Sequence, residues 1–137
     1  MTMKCAKALV IEVMRWTRRR AREAEYVAGH FRSGVGKGAI VVLKRKARDH
    51  QGGWADRWYP NMSRCVGALG VVTRNAGPHG FVVTFFRGKW DQYAYPYFVL
   101  QALAPDCPVR VNGKDTTASN AAAEGWKRMK AKRRKKA

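Results

Sequence analysis

Leu69-Gly-Val-Val-Thr-Arg74 and Phe81-Val-Val-Thr-Phe-Phe-Arg87, separated by Asn75-Ala-Gly-Pro-His-Gly80, decide how the chain reads. The outer segments are rich in β-branched and aromatic residues, and the six residues between them supply the Gly, Pro and Asn of a hairpin connection. Upstream, Ala39-Ile-Val-Val-Leu43 is short, β-branched and bounded by Gly38 and by Lys44-Arg45-Lys46, so it reads as a buried strand. Downstream, Gly88-Lys89 permits another reversal, and Trp90 to Tyr95 reads as a fourth strand that Pro96 ends. Phe81, Phe85, Phe86, Trp90, Tyr93, Tyr95, Tyr97 and Phe98 concentrate apolar surface in this region. The expected fold class is α+β, mainly β, built on a meander with short connections.

This β region is also the neutral part of the chain. The net charge is +19, divided as +10 over residues 1–48, +1 over residues 49–106 and +8 over residues 107–137. Excess charge of this size costs self-repulsion in a compact state, so it points to a polyanionic partner more than to the fold. Cys5, Cys65 and Cys107 are odd in number, widely spaced and contain no C-x-x-C pair. A disulfide framework and a structural zinc site are therefore not expected, and an intracellular, reducing location is. Ala8 to Ile11, interrupted by Glu12, is too short for a membrane span or a secretory leader.

Residues 3–28 carry a helical pattern. At 100° per residue, Cys5, Ala6, Leu9, Val10, Val13, Trp16, Thr17, Ala21, Ala24 and Val27 fall on one side, expected to pack; Lys4, Lys7, Arg15, Arg18, Arg19 and Arg22 fall on the other. Arg15, Arg18, Arg19 and Arg22 follow the i, i+3, i+4, i+7 spacing, which aligns four guanidinium groups along one ridge suited to a phosphate backbone. Gly29, Gly34, Gly36 and Gly38 are expected to end the helix and form a connector. An anionic membrane or an organelle-targeting role is a lesser competitor for such a helix, and Glu12, Glu23 and Glu25 weaken the latter.

Between the first and second strands lies a long loop, roughly residues 47–65, holding Trp54, Trp58, Tyr59 and Pro60. Gly38 before Val41-Val42, then Gly53-Trp54, Met62, Arg64-Cys65-Val66-Gly67, Gly70-Val71-Val72, Val83, Phe85, Tyr95-Pro96 and Leu100 form a pattern that resembles the Mind bomb/Herc type domain, over residues 37–104. The resemblance implies a small SH3-like barrel, and it implies peptide binding as an alternative function. Gly67 and Gly70, flanking the entry to a strand, suit a bulge or a close corner. The resulting organisation is a basic amphipathic helix and Gly-rich connector over 1–36, the barrel over 37–104, and a linker with a basic C-terminal helix or tail over 105–137. Trp54 is expected to close the core. Trp58 and Tyr59 are candidates for a stacking or peptide-binding surface.

Ser119, Asn120 and neighbouring residues offer N-caps ahead of Ala121-Ala-Ala-Glu124. Beyond Gly125 and Trp126, eight of eleven residues are basic: Lys127, Arg128, Lys130, Lys132, Arg133, Arg134, Lys135 and Lys136. Such a run repels itself when free and could extend as helix on a polyanion. Trp126 is placed either to stack on bases or to dock the segment. Enzymatic chemistry finds little footing. His30, His50 and His79 lack metal-ligand spacing, and no metal or cofactor is expected. Asp49-His50 with Asp56 is the sole acidic cluster near a histidine, and turn or surface roles suit it better than a nuclease site. Ser33-Gly-Val-Gly-Lys-Gly38 has the look of a phosphate loop but leads into a strand and lacks the following Ser or Thr. The expected function is non-catalytic nucleic-acid binding, DNA or RNA. Phosphate contacts would come from the arginine ridge, from Lys44, Arg45 and Lys46, and from the C-terminal run, with little sequence specificity.

Overall fold

The computed structural model describes the backbone of residues 3–86 and 92–136 and the side chains of residues 13–86 and 93–132. Helix α1 (Met3–Arg32) is followed by strand β1 (Ile40–Leu43), a 3-10 turn (Gln51–Gly53), the one-turn helix α2 (Pro60–Ser63) and strand β2 (Leu69–Asn75). A 3-10 turn (Gly77–His79) leads to β3 (Phe81–Phe85), then β4 (Gln92–Tyr95), a 3-10 turn (Tyr97–Val99) and β5 (Leu100–Leu103). A separate hairpin, β6 (Pro108–Val111) and β7 (Lys114–Thr117), precedes helix α3 (Ala118–Lys136). The expected start of the fourth strand at Trp90 and the reversal at Gly88-Lys89 lie outside the described residues.

Five strands form one antiparallel sheet in the order β4-β3-β2-β1-β5. β1 pairs with both β2 and β5, with Val41 opposite Gly70 on one side and Ala102 on the other. The meander β1 to β4 is as the sequence suggests, but the sheet is open: among the described residues β4 and β5 are its two edges and do not pair, so no barrel closes. The bulge falls at Thr73, between the Val72 and Arg74 pairings, and not at Gly67 or Gly70. Gly70 instead sits in register opposite Phe85, where an added Cβ would stand 2.7 Å from the Thr84 carbonyl oxygen.

Alternation along the strands gives the sheet two faces. Val41, Leu43, Val72, Phe81, Val83 and Phe85 belong to the main core, with Trp54, Met62, Tyr95, Val99 and Tyr26 of α1. On the other face, Val42 and Leu69 meet Val109 of the β6–β7 hairpin and Ala121 of α3 around a cavity of about 430 Å³. All five residues of β3 are buried because both of its faces are covered. Ala118, Ala121 and Ala122 are buried on α3, and Gly125 lies so close to Phe86 that a Cβ would overlap its ring. Trp126 meets Phe86 edge-on at 5.3 Å between centroids, so it docks the helix onto the sheet.

α1 is turned the opposite way from expectation. Among its described side chains the buried residues are Tyr26, Gly29 and His30, which continue the three-and-four spacing of Arg15, Arg18, Arg19 and Arg22. The helix therefore packs through the continuation of its arginine face, and most of the described apolar stripe points outward: Val13 is 61% exposed, Trp16 56% and Phe31 72%, whereas Val27 is partly buried against the core. Hydrophobic periodicity favoured the longer stripe, whereas packing is decided by a short aromatic anchor. Tyr26 lies against Tyr97 and Phe98, and His30 stacks on Phe81 at 3.9 Å and 11°. Gly29 does not end the helix; it lies within it, where a Cβ would strike the Tyr97 ring. Asn75 Oδ1 accepts from the Gly77 amide at 2.9 Å and lies 2.7 Å from His30 Nε2, so that nitrogen carries the hydrogen and ties α1 to the β2–β3 turn.

Candidate nucleic-acid interface

The arginine ridge of α1 borders a groove of about 730 Å³ whose other wall is the turn at residues 50–55. Arg15, Arg18, Arg19 and Arg22 line one side with Glu23, and His50, Gly53, Trp54 and Ala55 the other. All four arginines are exposed. The seat is fixed where Gly53, at φ 89°, lies against the Arg22 carbonyl so closely that no side chain fits between them. Trp54, 1% exposed, anchors the turn by donating its Nε1–H to the His79 carbonyl at 2.5 Å. His50 holds the turn from within: its backbone is left-handed at φ 55°, its amide donates to the Asp56 carbonyl, and its Nδ1 lies 3.2 Å from the Trp54 carbonyl.

These contacts absorb the residues of the imagined nuclease site. Asp49 Oδ1 accepts the Trp58 amide at 2.7 Å, and Asp56 pairs with His79 at 3.4 Å across a partly exposed surface. Among the described residues no group of three or more His, Cys, Asp or Glu is placed to hold a metal. The Ser33–Gly38 segment follows the C-terminal, negative end of α1, where an anion is disfavoured. Ser33 Oγ there donates to the His30 carbonyl and accepts from the Val35 amide.

Lys44, Arg45 and Lys46 are exposed after β1, and Arg45 Nη2 donates to the Phe98 carbonyl at 3.2 Å. α3 runs helical through its basic segment, with Lys127, Arg128, Lys130 and Lys132 exposed; the side chains of Arg133, Arg134, Lys135 and Lys136 lie outside those described. Arg128 reaches the rim of the 430 Å³ cavity with Arg110. The two basic helices thus serve different faces: α1 joins the main-core face of the sheet, and α3 covers the other.

Trp58 is half-buried, its Nε1–H donating to Ser63 Oγ at 2.8 Å and its ring edge-on to Trp54 and Tyr95. Tyr59 remains 47% exposed and stacks with Tyr93 at 5.8 Å and 28°. Tyr93 had no mark in the sequence as Tyr59's partner, since the pairing is made only by folding. The β6–β7 hairpin did have one: Asn112-Gly113 between Val111 and Lys114 is the two-residue turn signal, and both residues have positive φ, 52° and 78°. Among the described residues no helix is long and apolar enough to cross a membrane. No known protein family, curated protein or solved structure matches the chain.

Proposed function

We propose that this chain is a non-catalytic nucleic-acid-binding protein that holds the phosphate backbone with little regard for sequence. The observation that carries the reading is the groove between α1 and the 50–55 turn, where four arginines spaced along one ridge face a concave wall. Guanidinium groups present fixed, forked donors that suit phosphate oxygens, and a concave cationic surface concentrates their field. The C-terminal run of α3 supplies a second cationic surface. The strand order, with β5 returned to β1 beside a four-strand meander, supports reading the sheet as an opened SH3-like module of the Mind bomb type.

The test is fluorescence anisotropy of labelled mixed-sequence duplex and single-stranded oligonucleotides over a salt series. Simultaneous Arg15→Gln, Arg18→Gln, Arg19→Gln and Arg22→Gln changes should weaken duplex binding and flatten its salt dependence by about 3.6 in log–log slope. Absence of any binding at low salt would overturn the proposal. A peptide-binding reading is favoured separately by the exposed Tyr59–Tyr93 stack. It predicts capture of defined peptides from an array that Tyr59→Ala abolishes and the four arginine changes leave intact.

A further inference from the structure

Helix α3 and the β6–β7 hairpin lie over one face of the sheet, yet a cavity of about 430 Å³ stays open between them, where close packing would ordinarily leave no void larger than a water molecule. Val42, Leu69, Phe86 and Val109 line it and are only half-buried, and Ala121 presents no more than a methyl group from the helix side. Three exposed polar side chains, Arg110, Asn112 and Arg128, stand at its rim, and among the described residues no carboxylate lines it. Arg110 has a loose partner in Asp115, 3.7 Å away with both side chains largely in solvent. Asn112 and Arg128 have no side-chain partner among the described residues, although Glu124 precedes Arg128 by one turn. Apolar walls with a few converging polar groups, at this volume, are the make-up of a ligand site. We propose, building on the nucleic-acid reading, that the cavity takes one unpaired nucleotide of a bound strand, its base inside and its phosphate on Arg110 and Arg128.

The polar groups select this occupant. Two guanidinium forks suit the oxygens of a phosphate. The Asn112 amide both donates and accepts, which matches the edge of a nucleobase, and its place is set by the hairpin turn, where its backbone is held at φ 52°. The flat faces of a base suit the apolar walls at Leu69, Phe86 and Val109. Arg128 and Lys132 are one turn apart on the same side of α3, so the next phosphate along the strand also meets a cation. A long-chain carboxylate carries a single charge and uses neither Asn112 nor Lys132. A paired base cannot enter, because its hydrogen-bonding edge is turned into the duplex. Unpaired ends and loops therefore have an interaction at α3 that a blunt duplex lacks.

Two strands of about 12 nucleotides, annealed blunt or staggered by about two positions, carry the same number of phosphates and differ in having unpaired ends. In the full-length chain carrying the four arginine changes in α1, which isolates α3, the staggered form should bind about tenfold more tightly in anisotropy at low salt. Asn112→Gly removes the amide with a residue that accepts the positive φ, and Ala121→Leu fills the cavity. Each should abolish the preference and leave blunt-duplex affinity unchanged. If Ala121→Leu lowers the melting temperature, Asn112→Gly decides alone. In the unmodified full-length chain, adenosine monophosphate should shift the nuclear magnetic resonance signals of Leu69, Val109 and the Asn112 side-chain amide, and inorganic phosphate at the same concentration should not shift Leu69 or Val109. Equal affinity for blunt and staggered forms, or phosphate reproducing the nucleotide's shifts, overturns the site while phosphate-backbone binding stands. Loss of all binding in the α1 variant alone overturns α3 as a nucleic-acid surface and the site with it. Failure of the unmodified chain to bind either form overturns the nucleic-acid reading itself. Shifts at Leu69 and Val109 with decanoate, and none with adenosine monophosphate, would give the cavity to an amphipathic carboxylate instead.

Discussion

Gly29 decides where α1 meets the sheet. With no side chain it lets the helix backbone rest on the Tyr97 ring, and a methyl group there has no free space. Gly29→Ala should therefore cost about 1–3 kcal/mol in urea unfolding, although alanine is the better helix former. Gly36→Ala is the control: nothing lies within 4 Å of the added atom, and the change should be within about 0.5 kcal/mol of neutral. One turn before Gly29, Tyr26 is 1% exposed, and burial pushes its phenol well above the ordinary value of 10.0. The sign follows from linkage. A group whose folded pKa is raised contributes fully below the unfolded value, and that stability is lost as pH rises through the folded pKa. Stability measured by denaturant from about pH 9 to about pH 11 should fall on the alkaline side. Tyr26→Phe should flatten that fall, and an unchanged slope would remove Tyr26 as its source.

At the scale of elements, α3 joins two conflicting tendencies. Lys and Arg are good helix formers and favour the C-terminal end of the dipole, yet like charges three and four apart each cost roughly 0.2–0.5 kcal/mol. Among the described residues the helix is tied down chiefly through its first half, by Ala118, Ala121, Ala122, Gly125 and Trp126. Far-UV circular dichroism should consequently report more helix as sulfate is added, and the gain should vanish when Lys130, Lys132, Arg133, Arg134, Lys135 and Lys136 are changed to Gln. Constant ellipticity would mean that repulsion does not limit this helix. Local pattern made several elements legible: β1 from its apolar run, β2 and β3 from their β-branched residues, and α1 from its period. It located the arginine ridge but not its surroundings, because the 50–55 wall is assembled by Gly53 against Arg22 and by Trp54 reaching His79, contacts remote in sequence. The direction in which α1 faces was hidden for a related reason. Tyr26, Gly29 and His30 look polar or small in a hydrophobicity pattern, and only their fit to Tyr97, Phe98 and Phe81 makes them the anchor.

Across the whole molecule the charge is placed on two sides of one sheet. α1 and its groove belong with the main-core face, and α3 with the face of Val42 and Leu69. A sheet with covered faces separates them by more than a side chain's reach, so the two cationic surfaces should act independently on phosphate. Free energies of distant sites add within roughly 0.3–0.5 kcal/mol. Each set of changes should therefore weaken only its own surface: the four arginine changes in α1 should leave duplex affinity at α3 unaltered, and the six Gln changes in α3 should leave that at α1 unaltered. A rigid duplex of about 12 base pairs cannot wrap from one face to the other, and this fixes the stoichiometry. Titration calorimetry at low salt should find two such duplexes per chain, and one in either single-surface variant. One duplex per unmodified chain, weakened by either set of changes, would mean that α1 and α3 close on the same stretch of backbone, and that the opposite placement of their charge is not used.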